Sequence, residues 1–288
     1  MRLPVGIQAE CIVVDNCSTD DTREVVAGFT AHSVLSVRYV YESGLGSSYA
    51  RNRAIDEARG DYVLFIDDDA VAERDWAAAM LEEIEHRHLD VACGMVLPRW
   101  CGKPPRWLGS SLYVRLAVHD PANIANALPA ERDAIHNYFS ANVGFRRGVF
   151  QRFGKFRSDL GVVGTNPMSG EDTELFARIM AGGGTVGFAS HARVYHLIPP
   201  ERMRVVYLLR KSFAFGYGSA LVGARSHNHV DKLARNIIRL IFAAARGDCE
   251  RAVYHGLECA NFFGYWRRRL DVKLRPARGG RACLPEQR

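Results

Sequence analysis

Residues 61–66 (DYVLFI) form a short apolar run that stops against three consecutive aspartates, Asp67, Asp68 and Asp69. Such a run, rich in aromatic and branched side chains and set off by Gly60, reads as a buried strand. A strand that is apolar on both faces belongs in a sheet covered by helices on each side. Three adjacent carboxylates repel one another and are costly to bury without a counter-charge. The strand therefore has to deliver them to the sheet's carboxyl edge.

The surrounding pattern agrees. Residues 10–15 (ECIVVD) are a second apolar run ending in an acid, Asp15. Ser18-Thr19-Asp20-Asp21 opens a helix with a capping signature, and Val25, Val26 and Phe29 supply its apolar stripe. Residues 37–41 (VRYVY) predict a strand. Residues 47–59 predict a helix with Ala50, Ala54, Ile55 and Ala58 on one side and Gly60 as its stop. A helix over 73–88 and a strand over 91–96 follow. Strands alternating with helices indicate an α/β fold with a mostly parallel sheet.

From 97 to 137 the pattern gives way to Pro, Gly, Trp and polar residues, and a stretch that long is more often functional than idle. Regularity returns over 138–145, followed by a helix near 146–153 and a Gly-rich loop over 154–170. A helix over 171–181 carries Leu175, Phe176, Ile179 and Met180, and short strands are expected at 185–189 and 194–196. The expected division is an α/β unit over 1–200, a helical region over 201–275 and a disordered tail over 276–288. No internal repeat is visible.

Charge divides the chain in the same place. Residues 1–200 hold 20 Lys/Arg against 25 Asp/Glu, whereas residues 201–288 hold 18 against 7. An acidic front suits cation chemistry, and a basic back suits an anionic surface. Nucleic acid is set aside, because neither zinc-finger spacing nor an aromatic-basic RNA motif is present. The seven cysteines are scattered and odd in number, with no C-x-x-C pair, which argues against a disulfide framework or zinc site and for a reducing cytoplasm. No run approaches the roughly 18 apolar residues that span a bilayer, and the opening residues lack a secretory signal pattern.

Ligands of open parallel sheets sit outside the carboxyl ends of the strands, where Asp15 and the aspartate triplet fall. A divalent cation, Mg²⁺ or Mn²⁺, would relieve the crowded carboxylates and suits hard oxygen ligands; a solvated acidic turn is the plainer alternative. Ser169-Gly170-Glu171-Asp172 fits a capping box in which Asp172 only satisfies a helix start. His196, in Val194-Tyr195-His196, ends a strand, where a lone histidine is more often structural. Trp100, Trp107 and Tyr113 could stack on a ligand or pack the irregular segment down.

Three ordered blocks narrow this further. CIVVDNCSTDDT, ARNRAIDEARGDYVLFIDDDA and SGEDTELFARIMAGG closely resemble successive motifs of bacterial family 2 glycosyltransferases, over roughly residues 10–200. The resemblance implies a GT-A catalytic domain taking a nucleotide-sugar donor and a saccharide or lipid-linked acceptor. It implies that Asp15 meets the nucleobase and that Arg51 approaches the base or diphosphate. Asp67, Asp68 and Asp69 would form the D-x-D element, with Asp67 and Asp68 on the donor and Asp69 on the metal; His196 would complete the metal shell. Asp172 would be the base of an inverting transfer. Cell-surface polysaccharide or glycolipid synthesis follows as the setting, at the inner face of the membrane.

Two departures stand out. Family members begin with an extra strand and helix, whereas about ten residues precede Cys11, so the sheet is expected to lack a central strand beside Val13 and Val14. Cys17 stands where a glycine is usual, which strains the turn if that position needs positive φ. Two other readings remain: a truncated, inactive binding module, and a nucleotidyltransferase, which would want a Gly-rich, Lys-bearing phosphate loop that the sequence lacks. The basic helical region predicts peripheral contact with an anionic membrane. Residues 231–246 repeat Leu233, Ile237, Leu240 and Ile241 at helical spacing, and Tyr265-Trp266 adjoin Arg267-Arg268-Arg269.

Overall fold

A computed structural model of the chain describes Leu3 and residues 6–30, 35–120, 138–161, 170–220 and 230–274. The order of elements follows the sequence pattern: β1 (Glu10–Asp15), α1 (Thr22–Thr30), β2 (Ser36–Tyr41), α2 (Ser47–Glu57), β3 (Tyr62–Ile66), β4 (Ala70–Ala72) and α3 (Trp76–His86). After β5 (Val91–Trp100) and a 3-10 stretch (Ser110–Leu116) come β6 (Asn142–Arg146), α4 (Gly148–Phe153), α5 (Glu171–Ala181) and β7 (Val186–Ile198). A 3-10 turn (Pro200–Met203) leads into α6 (Val205–Ser219), α7 (Val230–Ala245) and α8 (Cys249–Leu274). The tail over 276–288, expected to be disordered, lies outside the described residues.

The α/β expectation holds, but the pairing is more mixed than strand–helix alternation implies. β1 and β2 form a parallel pair of their own, and the other five strands form one sheet in the order β3-β6-β5-β7-β4. Within it β5 and β7 are parallel, while β6 runs against both β3 and β5, and β4 runs against β7. The reason is local. β4 is a three-residue return directly after the aspartates, and β6 enters after the long irregular segment. Neither comes from a strand–helix–strand unit, so neither need be parallel. Val13 and Val14 pair with Tyr39 and Val40 across β2, and no β1–β3 ladder joins the two sheets among the described residues.

Helices cover both faces of the large sheet because its strands are apolar on both. Ala92 and Val96 of β5 pack with Trp76, Met80 and Ile84 of α3. Val91 and Cys93 face the other way, among Phe145, Leu175, Phe176 and Ile179. The two short strands expected at 185–189 and 194–196 are one thirteen-residue strand. Its pairing with β5 jumps between Gly94 and Met95, from Ala189 to Arg193, so a bulge interrupts the ladder rather than a turn.

Asn142 closes that bulge. Fully buried, its amide nitrogen donates to the carbonyls of Met95 (2.9 Å) and Ala192 (2.8 Å), and its amide oxygen accepts from Trp76 Nε1 at 2.7 Å. A Cβ on Gly94 would sit 2.3 Å from Asn142 Nδ2, so only glycine leaves room for the plug. Replacing Asn142 by Ala strands two carbonyls and an indole N–H, at a cost of about 1–3 kcal/mol each where water cannot enter. Urea denaturation of Asn142→Ala is expected to show a loss of about 3 kcal/mol or more with an unchanged m value. A loss below about 1 kcal/mol would mean that the bulge needs no plug.

Candidate active site

Asp15 closes β1 and is almost fully buried. Its carboxylate accepts from the backbone N–H of Ser18 (2.8 Å) and from the Tyr39 hydroxyl (2.6 Å). Burial would raise its pKa, but those hydrogen bonds outweigh it and hold the group below the usual carboxylate range. The Tyr39 hydroxyl is in turn pushed up to about 12, by burial and by Asp15. Asn16 then fastens the loop that leads to α2, donating to the carbonyls of Gly44 and Glu42 and accepting from Gly46 N–H at 2.7 Å. Cys17 adopts φ +61°, so the expected strain at a glycine-like position is present. Its thiol meets the carbonyls of Glu42 and Ser43 at 3.6 and 3.5 Å.

The fastened loop sets α2 so that Arg51, a turn into the helix, reaches two other elements. Its guanidinium lies 3.2 Å from Asp67 Oδ1 and 2.8 Å from Glu171 Oε1, over the Phe156 ring at 5.7 Å. Ser47 adds a hydroxyl to the same Glu171 oxygen at 3.2 Å. Glu171 is buried, and its Oε2 has no hydrogen-bond partner among the described residues. Arg51 thus ties the aspartate turn to the start of α5.

Asp172 follows Glu171 and is half-buried. Its carboxylate takes Thr173 N–H at 2.7 Å, with the Ser140 N–H and hydroxyl at 3.4 and 3.3 Å. The residue at the helix cap is Gly170, and Ser169, the other half of the supposed capping box, lies outside the described residues. Burial raises the Asp172 pKa above its ordinary value; neighbouring Glu171 adds to the rise and Arg51 works against it.

The far end of the turn is organised by β7. Register places Ala70 opposite His196, which brings His196 Nε2 to 3.1 Å from Asp69 Oδ1. Arg202, from the 3-10 turn after β7, lies 2.7 Å from Asp69 Oδ2 and 3.0 Å from His196 Nε2. Burial would raise the Asp69 pKa, but His196 and Arg202 overcome it and hold it low. Asp68 between them is exposed, without a hydrogen bond or ion pair among the described residues. All seven expected residues are accounted for: Arg51 unites Asp67 with the start of α5, Asp69 and His196 converge, Asp15 keeps its own partners, and Asp68 faces water.

Two residues that the sequence did not single out complete the arrangement, Glu171 and Arg202. Both are read only through partners distant in sequence, Glu171 through an arginine 120 positions away. Trp100 and Tyr113 lie ring to ring at 5.5 Å and, with Trp107, pack on the apolar core, so in this structure they hold the irregular segment down.

The donor set fits a divalent cation. A carboxylate and an imidazole converge on one point, and a cationic nitrogen of Arg202 stands there. Buried His196 Nδ1 has no hydrogen-bond partner among the described residues. Among the described residues no group of three or more His, Cys, Asp or Glu gathers. The chain would therefore supply two ligands, leaving the rest to ligand oxygens and water, as hard cations accept.

Comparison with known proteins places the sequence and the fold. The sequence profile described as "Glycosyl transferase family 2" matches residues 7–154. The succinoglycan biosynthesis protein ExoM of Rhizobium meliloti is 27% identical over 218 residues, covering 75% of this chain and 65% of that one. The glucosyl-dolichyl phosphate glucuronosyltransferase of Haloferax volcanii is 26% identical over 188 residues, 65% of this chain and 58% of its own. The chain thus spans less than two thirds of the length of these curated relatives. Among solved structures, the mannosyltransferase PcManGT from Pyrobaculum calidifontis, in complex with GDP-Man and Mn²⁺, shares the fold at a TM-score of 0.63 and 17% identity, covering 91% of this chain and 78% of that one.

The raised Asp172 pKa has a consequence for stability. A carboxyl whose folded pKa lies above its unfolded value favours folding below the unfolded pKa, and that contribution is lost as pH rises through the folded value. Asp172→Asn keeps the shape without the charge. Melting curves across pH are expected to coincide with the parent in acid and to rise a few degrees above it at neutral pH, the size that about 1 kcal/mol gives. A variant that melts below the parent at neutral pH would make Asp172 a structural cap.

Proposed function

The chain belongs to glycosyl transferase family 2, and from that premise we propose that it moves a sugar from a nucleotide-sugar donor to an acceptor hydroxyl. The reading takes the transfer to be inverting and dependent on Mg²⁺ or Mn²⁺. Its setting is cell-surface polysaccharide or glycolipid synthesis, with a saccharide or lipid-linked acceptor at the cytoplasmic face of the membrane. The observation that carries it is the Arg51 bridge, which holds the aspartate turn and the Glu171-Asp172 helix start on one sheet edge. Donor phosphates and an attacking hydroxyl would have to meet between those two elements. The relatives named for succinoglycan biosynthesis and for a dolichyl phosphate glucuronosyltransferase support the acceptor class.

In this reading Asp15 receives the donor's base and exchanges its Tyr39 contact for it. Arg51 approaches the diphosphate from the side of Asp67, and Asp68, facing water, is free to meet the incoming ribose. Asp69 and His196 would hold the cation, which would offset the negative charge growing on the departing nucleoside diphosphate. Arg202, which bonds both of these groups, would yield them to the cation and turn to the diphosphate. Asp172 accepts the proton of the acceptor hydroxyl as its oxygen bonds to the anomeric carbon, while the bond from that carbon to the diphosphate oxygen breaks on the opposite face. A raised pKa makes Asp172 a stronger base once ionised.

Calorimetric titration of UDP, GDP and TDP with and without Mn²⁺ tests the donor side. One of them is expected to bind only with metal, and Asp69→Ala to weaken that binding roughly tenfold or more, as loss of a charged partner does. Arg202→Gln is expected to bind Mn²⁺ alone more tightly than the parent and the metal–nucleotide pair less tightly. Metal-independent binding undiminished in Asp69→Ala would contradict the reading.

A further inference from the structure

Besides the apolar side chains they bury, the two terminal helices carry others outward. On α7 the buried positions are Asn236 and Ala243, and Asn236 Oδ1 meets His255 Nδ1 of α8 at 3.0 Å. Across the helix, Ile237, Ile238, Ile241 and Phe242 are 41, 53, 62 and 61% exposed. A helix that serves only a protein core turns such residues inward; here Leu233, Asn236, Leu240 and Ala243 already face the body, and a second apolar strip faces out. α8, which packs against α7, likewise exposes Phe263, Trp266 and Leu270, three and four positions apart on one face.

Positive charge borders this surface. Arg235, Arg239 and Arg246 are exposed beside the α7 strip, and none forms an ion pair among the described residues. Arg267 and Arg269 stand beside Trp266, the first against Asp271 and the second on the Tyr265 hydroxyl. The helices are fixed to the catalytic body. Glu258 of α8 pairs with Arg115 of the 3-10 stretch and with Lys232 of α7, and Glu250 accepts from Ser111 at 2.6 Å. α6 and α8 approach so closely that a Cβ on Gly216 or Gly264 would strike the carbonyl of Asn261 or Phe213.

We propose that the outward face of α7 and α8 is a docking surface for an anionic phospholipid bilayer, with the helices lying in the plane of the interface. Aliphatic and aromatic side chains on one side with arginines along the border is the arrangement that interfacial helices use. Charge decides between occupants. A second copy would set one row of unpaired arginines against another, in a region with 18 Lys/Arg and 7 Asp/Glu, whereas an anionic lipid surface complements them. Among the described residues no helix is long and apolar enough to cross a membrane, so the contact lies on the surface. This inference deepens the proposed membrane-held acceptor, but it rests on helices apart from the aspartate turn, so vesicle binding and nucleotide binding can fail separately.

Sedimentation of the full chain with vesicles tests it, using equal parts phosphatidylglycerol and phosphatidylcholine against phosphatidylcholine alone. The chain is expected to pellet with the anionic vesicles at low salt and to be released as salt screens the charges. Arg235→Gln with Arg239→Gln should loosen binding about fivefold per charge. Ile238→Glu with Phe242→Glu should abolish pelleting while leaving the melting midpoint and metal-dependent nucleotide binding as in the parent; all four positions are exposed, so the fold does not need them. Three results would overturn the proposal: no pelleting with anionic vesicles at low salt, pelleting unchanged in Ile238→Glu/Phe242→Glu, or a dimer in light scattering that this variant dissolves.

Discussion

The site depends on one buried guanidinium. Arg51, from a helix near the start of the chain, lies between Asp67 at the end of β3 and Glu171 at the start of α5. Only 13% of its side chain is exposed, and 7% of that of Glu171. Taking one partner away from such a pair costs about 3–5 kcal/mol, because the other is left charged and buried. Here the cost would fall on the aspartate turn and the helix start that it joins. Among the described residues Glu171 already has one oxygen without a hydrogen-bond partner, and Asp172 follows it with a raised pKa. Arg51 therefore sets position and proton affinity together.

A second guanidinium does related work at the other end of the turn. Asp67 pairs with Arg51, Asp69 pairs with Arg202, and Asp68 between them is left to water. The repulsion among three adjacent carboxylates is thus relieved by two arginines from opposite directions. That solution leaves room for function. Arg51 is locked by Glu171 and Phe156 and is held in place, whereas the Arg202 side chain is about one-third exposed and among the described residues bonds to Asp69 and His196. In the proposed reading the first arginine is a fixture and the second an occupant that yields to a cation.

Much of this was legible in the sequence, and the remainder shows where spacing stops being informative. The apolar runs ending in Asp15 and Asp67 and the helix opening at Glu171 are local signals, and each element formed where hydrophobic period and turn residues agreed. The direction of β6 and the short return strand β4 left no signal in the sequence. Their direction is set by long-range pairing rather than by their own residues, and the bulge that turns two expected short strands into β7 is stabilised by Asn142, nearly fifty positions from the backbone it serves. Glu171 was hidden by its conspicuous neighbour, and Arg202 by a place six residues past His196 that no periodicity marks. Cys17 was legible for a different reason: a side chain where the backbone wants φ above zero is a local conflict, and the turn carries it.

The central claim is that the Arg51-linked edge performs sugar transfer with Asp172 as its base. Release of nucleoside diphosphate from UDP-, GDP- and TDP-sugars by the purified chain, with Mn²⁺ and a hydroxyl acceptor present, addresses it most directly. The account predicts metal-dependent release with one donor, and a fall on the order of 10²-fold or more in Asp172→Asn while that variant still binds the nucleotide. Release at the parental rate by Asp172→Asn, in protein of normal stability, would contradict it.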